Sequence, residues 1–100
     1  MISQQLVDNA ETAAEFLAAI GNGKRLAIMC HLLCGELSVG EIATRVALSQ
    51  SALSQHLARM REEGIVAYRR DGQTLWYRIA DARIEELIGT LHQLYCRIRP

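Results

Sequence analysis

Cys30, Cys34 and Cys96 are the residues of this 100-residue chain best suited to covalent chemistry. A thiolate is both a nucleophile and a soft-metal ligand, and two thiols held close can be bridged by an oxidant or by inserted sulfur. An odd number of cysteines in a chain expected in a reducing compartment argues against a permanent disulfide framework. Core packing, metal ligation and redox chemistry remain open for each. A CxxC spacing is missing, and the sequence places no evident base beside a thiol, so a small thiol oxidoreductase is only a remote alternative and the chain reads as a non-enzyme. A second set of residues could do recognition chemistry. Ser49, Gln50, Ser51, Ser54, Gln55 and Arg59 cluster in one stretch, and Arg69, Arg70 and Gln73 flank the pair Asp71-Gly72. Glutamine amides can pair bidentately with adenine, while hydroxyls and guanidinium groups reach phosphates and base edges.

Composition constrains what can position these groups. Eleven basic and eleven acidic side chains give a formal net charge of zero, so any nucleic-acid contact must come from local placement of charge. Half the residues are apolar, enough for the core of a single domain over residues 1–100, though a core that small leaves room for further burial by dimerisation. The opening MISQQLVDNAE has neither a basic n-region nor an apolar h-region, and no stretch reaches the roughly 18 apolar residues of a membrane span. The expectation is a cytoplasmic protein that does not engage a membrane.

Five helices and one hairpin are predicted. The first runs from about Leu6 to Ile20, with Leu6, Ala10, Ala13, Leu17 and Ile20 at alternating four and three spacing, a seam for another helix. Gly21-Asn22-Gly23 ends it. The second covers about Lys24 to Leu33, with Leu26, Met29, Cys30 and Leu33 on one face, so Cys30 could also be a small core residue. Ser38 and Glu41 have the spacing of a capping box for a third helix reaching about Val46, with Leu37 and Ile42 as its staple. Ser49 caps a fourth, to about Glu62, which Gly64 stops. Two short helices across a tight turn predict helix-turn-helix. Ile65 to Arg69 and Thr74 to Ile79 then read as strands joined by a tight turn at Asp71-Gly72. A last helix from about Asp81 to Arg97 carries a second seam of Ile84, Leu87, Leu91, Leu94 and Ile98.

On the fourth helix, Leu53, Leu57 and Met60 share the core face, while Ser51, Gln55, Ala58 and Glu62 point away and Ser54 and Arg59 flank them. His56 falls beside the core face and reads as a packed, hydrogen-bonded histidine. Polarity alone would describe any solvated helix face; the capped helix before it and the basic hairpin after it favour a DNA reader. The hairpin tip could lie along a sugar-phosphate backbone or enter a minor groove.

The helix-turn-helix, the run SQSALSQHLARMREEGIV, the wing RRDGQTLWY and the flanking helices together resemble the arsenic-repressor (ArsR/SmtB) family of winged-helix repressors over nearly the whole chain. The serine-rich fourth helix and the terminal LHQLYC most resemble its BigR, SqrR and HlyU branch. The resemblance implies a mainly helical winged fold, a homodimer built through the first and last helices, and repression through a palindromic double-stranded operator with half-sites about one helical turn apart.

It also guides the search for an inducer. Metal-sensing members carry a thiolate pair in the third helix, where this chain has Glu36-Leu37-Ser38-Val39-Gly40-Glu41-Ile42. For the other family metal site Asp81 and His92 are available, but Arg83 and Tyr95 stand in place of the remaining ligands, so no metal ligands are assigned. In the resembled branch, cysteines in contexts like IMC and LYC form a sulfur-sensing pair, which here are Cys30 and Cys96. The resemblance thus implies that reactive sulfur species or oxidants link them, by disulfide or polysulfide, and that DNA is released; no cofactor is called for. Arg97 and Arg99 could lower the pKa of Cys96, opposed by the negative end of its own helix. Cys34 is not required by the pair: it is a bystander, a resolving thiol, or, with Cys30 and Cys96, part of a soft-metal site in a metal-responsive alternative.

Overall fold

Local hydrogen bonds set the helix boundaries. The computed structural model describes residues 3–96. Ser3 accepts from the Leu6 amide and starts α1 (Gln4–Asp8), and Asn9 ends it by turning its side-chain amide onto the Gln5 carbonyl at 2.8 Å. The first predicted helix is therefore broken into α1 and α2 (Ala10–Ile20), because an asparagine side chain competes with the helical backbone for partners. Gly21 closes α2 against the Leu17 carbonyl oxygen, which would lie 2.9 Å from any Cβ placed there. Asn22 caps α3 (Gly23–Leu32), accepting from the Lys24 and Arg25 amides.

The capping box predicted at Ser38 is present: its hydroxyl accepts from the Glu41 amide at 3.2 Å, and Glu41 accepts from the Ser38 amide at 2.9 Å. It opens α4 (Val39–Val46), which leads through a left-handed Ala47 into α5 (Gln50–Glu62). The hairpin consists of β2 (Val66–Asp71) and β3 (Thr74–Ile79) in antiparallel register, with Asp71 opposite Thr74, and Gly72 takes the φ of +64° that the tight turn demands. The first strand thus starts one residue later and ends two residues later than the sequence predicts. A third strand, β1 (Leu37–Ser38), pairs with β3 through Leu37–Tyr77 and Ser38–Trp76, giving sheet order β1-β3-β2. Two residues are too few to show an alternation, so the sequence gives no sign of it. Asp81 caps α6 (Ala82–Tyr95). Over the described residues the result is a mainly helical fold of six helical segments with a small three-stranded antiparallel sheet, a winged helix-turn-helix.

One apolar cluster joins these elements, with Ile28, Met29, Ile42, Leu53, Leu57, Met60, Ile65 and Ile84 at its centre. Ile20 and Ile84, expected on seams facing a second subunit, are buried in this cluster instead: each has its own subunit's core within reach, and heptad spacing cannot distinguish the two partners. Leu6, Leu17 and Leu94 do remain open, the last 68% exposed. Ile98 of the second seam, with Arg97, Arg99 and Pro100, lies outside the described residues. The radius of gyration, 15.1 Å, exceeds the roughly 13 Å of a close-packed chain of this length. No helix among the described residues is long and apolar enough to cross a membrane.

Candidate DNA-reading surface and thiol pair

The reader surface is built on α5. Its Leu53, Leu57 and Met60 are wholly buried and fix its rotation, which leaves Gln50, Ser51, Ser54, Gln55, Ala58 and Arg59 exposed on the outer side. Ser49 is exposed too, although its hydroxyl accepts from the Ala52 amide as the N-cap. Arg59 reaches back to Glu63 at 3.7 Å. His56 is half-buried and accepts at Nδ1 from Arg25 Nε at 3.5 Å, and Arg25 also donates to the Ala19 carbonyl at 2.8 Å. It is a packed, hydrogen-bonded histidine, as its place on the wheel predicts.

The two wing arginines have different surroundings. Arg69 makes a bidentate pair with Glu36, Nε lying 3.0 Å from each carboxylate oxygen, and its guanidinium sits 5.7 Å from the Trp76 ring centroid. Its hydrogen bond to Glu36 raises its pKa further above the ordinary guanidinium value. Arg70 forms no ion pair among the described residues. Alternation along β2 places Arg70 on the same sheet face as Tyr68 and Arg69 on the other. Arg61 of α5 lies over the Tyr68 ring at 5.0 Å, so Arg70 shares its face with the reader helix. Gln73 is exposed in the turn.

The thiols form a separate site between α3 and the end of α6. Cys30 lies near the end of α3 and Cys96 caps the end of α6, its amide donating to the His92 carbonyl at 2.8 Å. Both line one apolar recess of about 240 Å³, with Leu26, Ile88, Leu91, His92 and Tyr95 completing the wall. Cys96 thus lies beside α3 across that recess. Cys30 is accessible to solvent and is not a core residue. Its apolar surroundings are still enough to push its thiol pKa up, and the neighbouring Cys96 adds a smaller push in the same direction.

Cys34 lies outside that recess. It lines the neighbouring depression of about 580 Å³ with Cys30, Leu33, Glu85, Ile88, Gly89 and His92. His92 thus borders both depressions, a base beside the thiols that the sequence reading passed over. Its position one helical turn before Cys96 was the available signal. Among the described residues, no group of three or more His, Cys, Asp or Glu is arranged to hold a metal ion. Asp81 is occupied by capping the Arg83 amide and pairing with the Arg83 guanidinium at 2.6 Å, which holds its carboxyl below the usual range. Arg83 in turn sits 4.1 Å above the Phe16 ring.

Residues 22–68 match the family model described as bacterial regulatory protein, arsR family. The transcriptional activator HlyU of Vibrio cholerae is 46% identical over 94 residues, spanning 94% of this chain and 87% of that protein. The crystal structure of the transcriptional repressor BigR from Xylella fastidiosa superposes with a TM-score of 0.91 at 33% identity, covering 98% of this chain and all of that one. A homodimeric winged helix-turn-helix DNA-binding domain from Mycobacterium bovis, a possible ArsR-family regulator, gives a TM-score of 0.76 at 27% identity, covering 100% and 93%.

Proposed function

Because this chain belongs to the arsR family of bacterial regulatory proteins and is a transcriptional regulator of that family, we propose that it is a cytoplasmic homodimeric repressor. It holds a palindromic DNA operator until reactive sulfur species or oxidants link Cys30 to Cys96. Gln50, Ser51, Ser54 and Gln55 face the bases, Ser49, Arg59 and Arg70 the phosphates, and Gln73 the backbone beside the wing. Arg69 serves the wing by holding it to Glu36 as well as adding charge. The observation that carries the switch is the shared apolar recess, which thiols at the ends of two different helices both line. A bridge there ties α3 to α6. Because α3 packs against α4, the helix preceding the reader, the tie shifts the two readers of the dimer relative to the fixed spacing of the operator. Dimerisation is supported by the open Leu6, Leu17 and Leu94 on the terminal helices and by the homodimeric relative.

Gel mobility shifts on a palindromic promoter fragment test this, with and without dimethyl trisulfide. The parent protein releases DNA on treatment and rebinds after reduction, whereas Cys96→Ser stays bound. If Cys96→Ser releases DNA as the parent does, the switch is wrong.

A further inference from the structure

Cys30 stands between two thiols. Cys96 lines the apolar recess with it, and Cys34 lines the neighbouring depression with it. Cys34 follows Cys30 by four positions, so only a short stretch of chain separates the two thiols. It sits just past the end of α3, held by a single 3.3 Å bond from its amide to the His31 carbonyl and followed by Gly35 at φ +141°, so the local backbone can adjust. It is also exposed.

We infer that Cys34 is a second, competing partner for Cys30, which can take Cys30 out of a bridge with Cys96. This rests on the reading of Cys30 and Cys96 as the switch pair. With an organic trisulfide, RSSSR, the Cys30 thiolate attacks a terminal sulfur. A Cys30–S–S–R bond forms, and the persulfide RSS⁻ leaves. Attack of Cys96 on the Cys30 sulfur then forms the Cys30–Cys96 disulfide and releases RS⁻. The sum is two thiols and RSSSR giving one disulfide, RSSH and RSH. The Cys34 thiolate next attacks the same Cys30 sulfur, forming Cys30–Cys34 and expelling the Cys96 thiolate, which is protonated by water. This last step needs no further oxidant. His92 and Glu85 line the depression that Cys30 and Cys34 share.

The two links have different consequences. A Cys30–Cys96 bridge ties two helices together, whereas a Cys30–Cys34 bridge closes only one turn of chain and leaves α6 free. Cys34 therefore limits the lifetime of the bridged state while still protecting Cys30 from further oxidation.

Trypsin separates the outcomes, because it leaves Cys30 and Cys34 in one peptide, 26–45, and Cys96 in another, 84–97. The folded parent, Cys34→Ser and Cys96→Ser are treated with dimethyl trisulfide, freed of reagent, sampled over time, alkylated and digested. Both replaced side chains are exposed, and circular dichroism confirms that each variant is folded. In the parent, the crosslink between the two peptides declines as a link within peptide 26–45 rises, with the sum constant. In Cys34→Ser the crosslink persists. In Cys96→Ser most of the protein carries the link within peptide 26–45. If Cys96→Ser instead holds a methylthio adduct on Cys30 beside an alkylated Cys34, while the parent still crosslinks, the inference fails and the switch stands. If Cys30 is unmodified in all three proteins, both fail.

Discussion

Replacing Arg70 with alanine should change how strongly DNA binding depends on salt, and by an amount that follows from the wing. Arg70 is free of protein partners among the described residues and shares its sheet face with α5, whereas Arg69 is already neutralised by Glu36 and stacked on Trp76. Each phosphate neutralised on duplex DNA releases condensed counterion and contributes about −0.9 to the slope of log K against log salt. A dimer presents two wings, so Arg70→Ala removes about 1.8 from the magnitude of that slope. Over a fourfold rise in salt the parent should lose roughly twelvefold more affinity than the variant does. Fluorescence anisotropy with a labelled promoter duplex across that range measures both slopes. Arg69→Ala should move the slope less, because its charge already lies against a carboxylate. An Arg70→Ala slope equal to the parent's, or a larger change from Arg69→Ala, would refute the placement of Arg70 on the phosphate backbone.

Leu57 is wholly buried at the root of the reader helix, and Leu57→Ala should cost about 2–5 kcal/mol, lowering Tm by several degrees per kcal/mol in a thermal melt; an unchanged Tm contradicts the packing. Leu17→Glu combined with Leu94→Glu should convert a dimer to a folded monomer in sedimentation, whereas a dimer that survives both changes places the interface elsewhere. The pH profile of Cys30 alkylation by iodoacetamide should have its midpoint above that of an ordinary thiol at about 8.5, since burial disfavours the thiolate. In Cys96→Ser that midpoint should fall only partway back, because the smaller cause is removed and burial stays. A midpoint below the ordinary value reverses the sign and rejects the argument.

Features carried by neighbours in the chain were readable from residue types. The Ser38–Glu41 capping box, the Ser49 cap, the turn at Gly72 and the buried face of Leu53, Leu57 and Met60 each depend on spacings of two to four residues, where hydrogen-bond reach and helical period decide the outcome. What could not be read depends on chain segments meeting from far apart. The Glu36–Arg69 pair spans 33 positions, and β1 exists only because β3 offers it an edge. The burial of Ile20 and Ile84 was hidden for a related reason, as an apolar seam does not say whose core it enters. The break at Asn9 was local but turns on which of two hydrogen bonds an asparagine makes. At the thiol site, the pairing of Cys30 with Cys96 was implied by the family resemblance of their contexts, IMC and LYC. The recess they share, and the place of His92 beside it, required α6 to be laid across α3.

The central claim is that joining Cys30 to Cys96 weakens the grip on DNA. Its most direct measurement is the Kd of purified Cys30–Cys96-linked protein for a promoter duplex at fixed salt, beside the same sample after reduction, with the link confirmed by peptide mass. Coupling between two sites in one protein commonly amounts to about 1–3 kcal/mol. The linked form should therefore bind between roughly fivefold and 150-fold more weakly and recover fully on reduction. Equal Kd values for the linked and reduced forms would contradict the account.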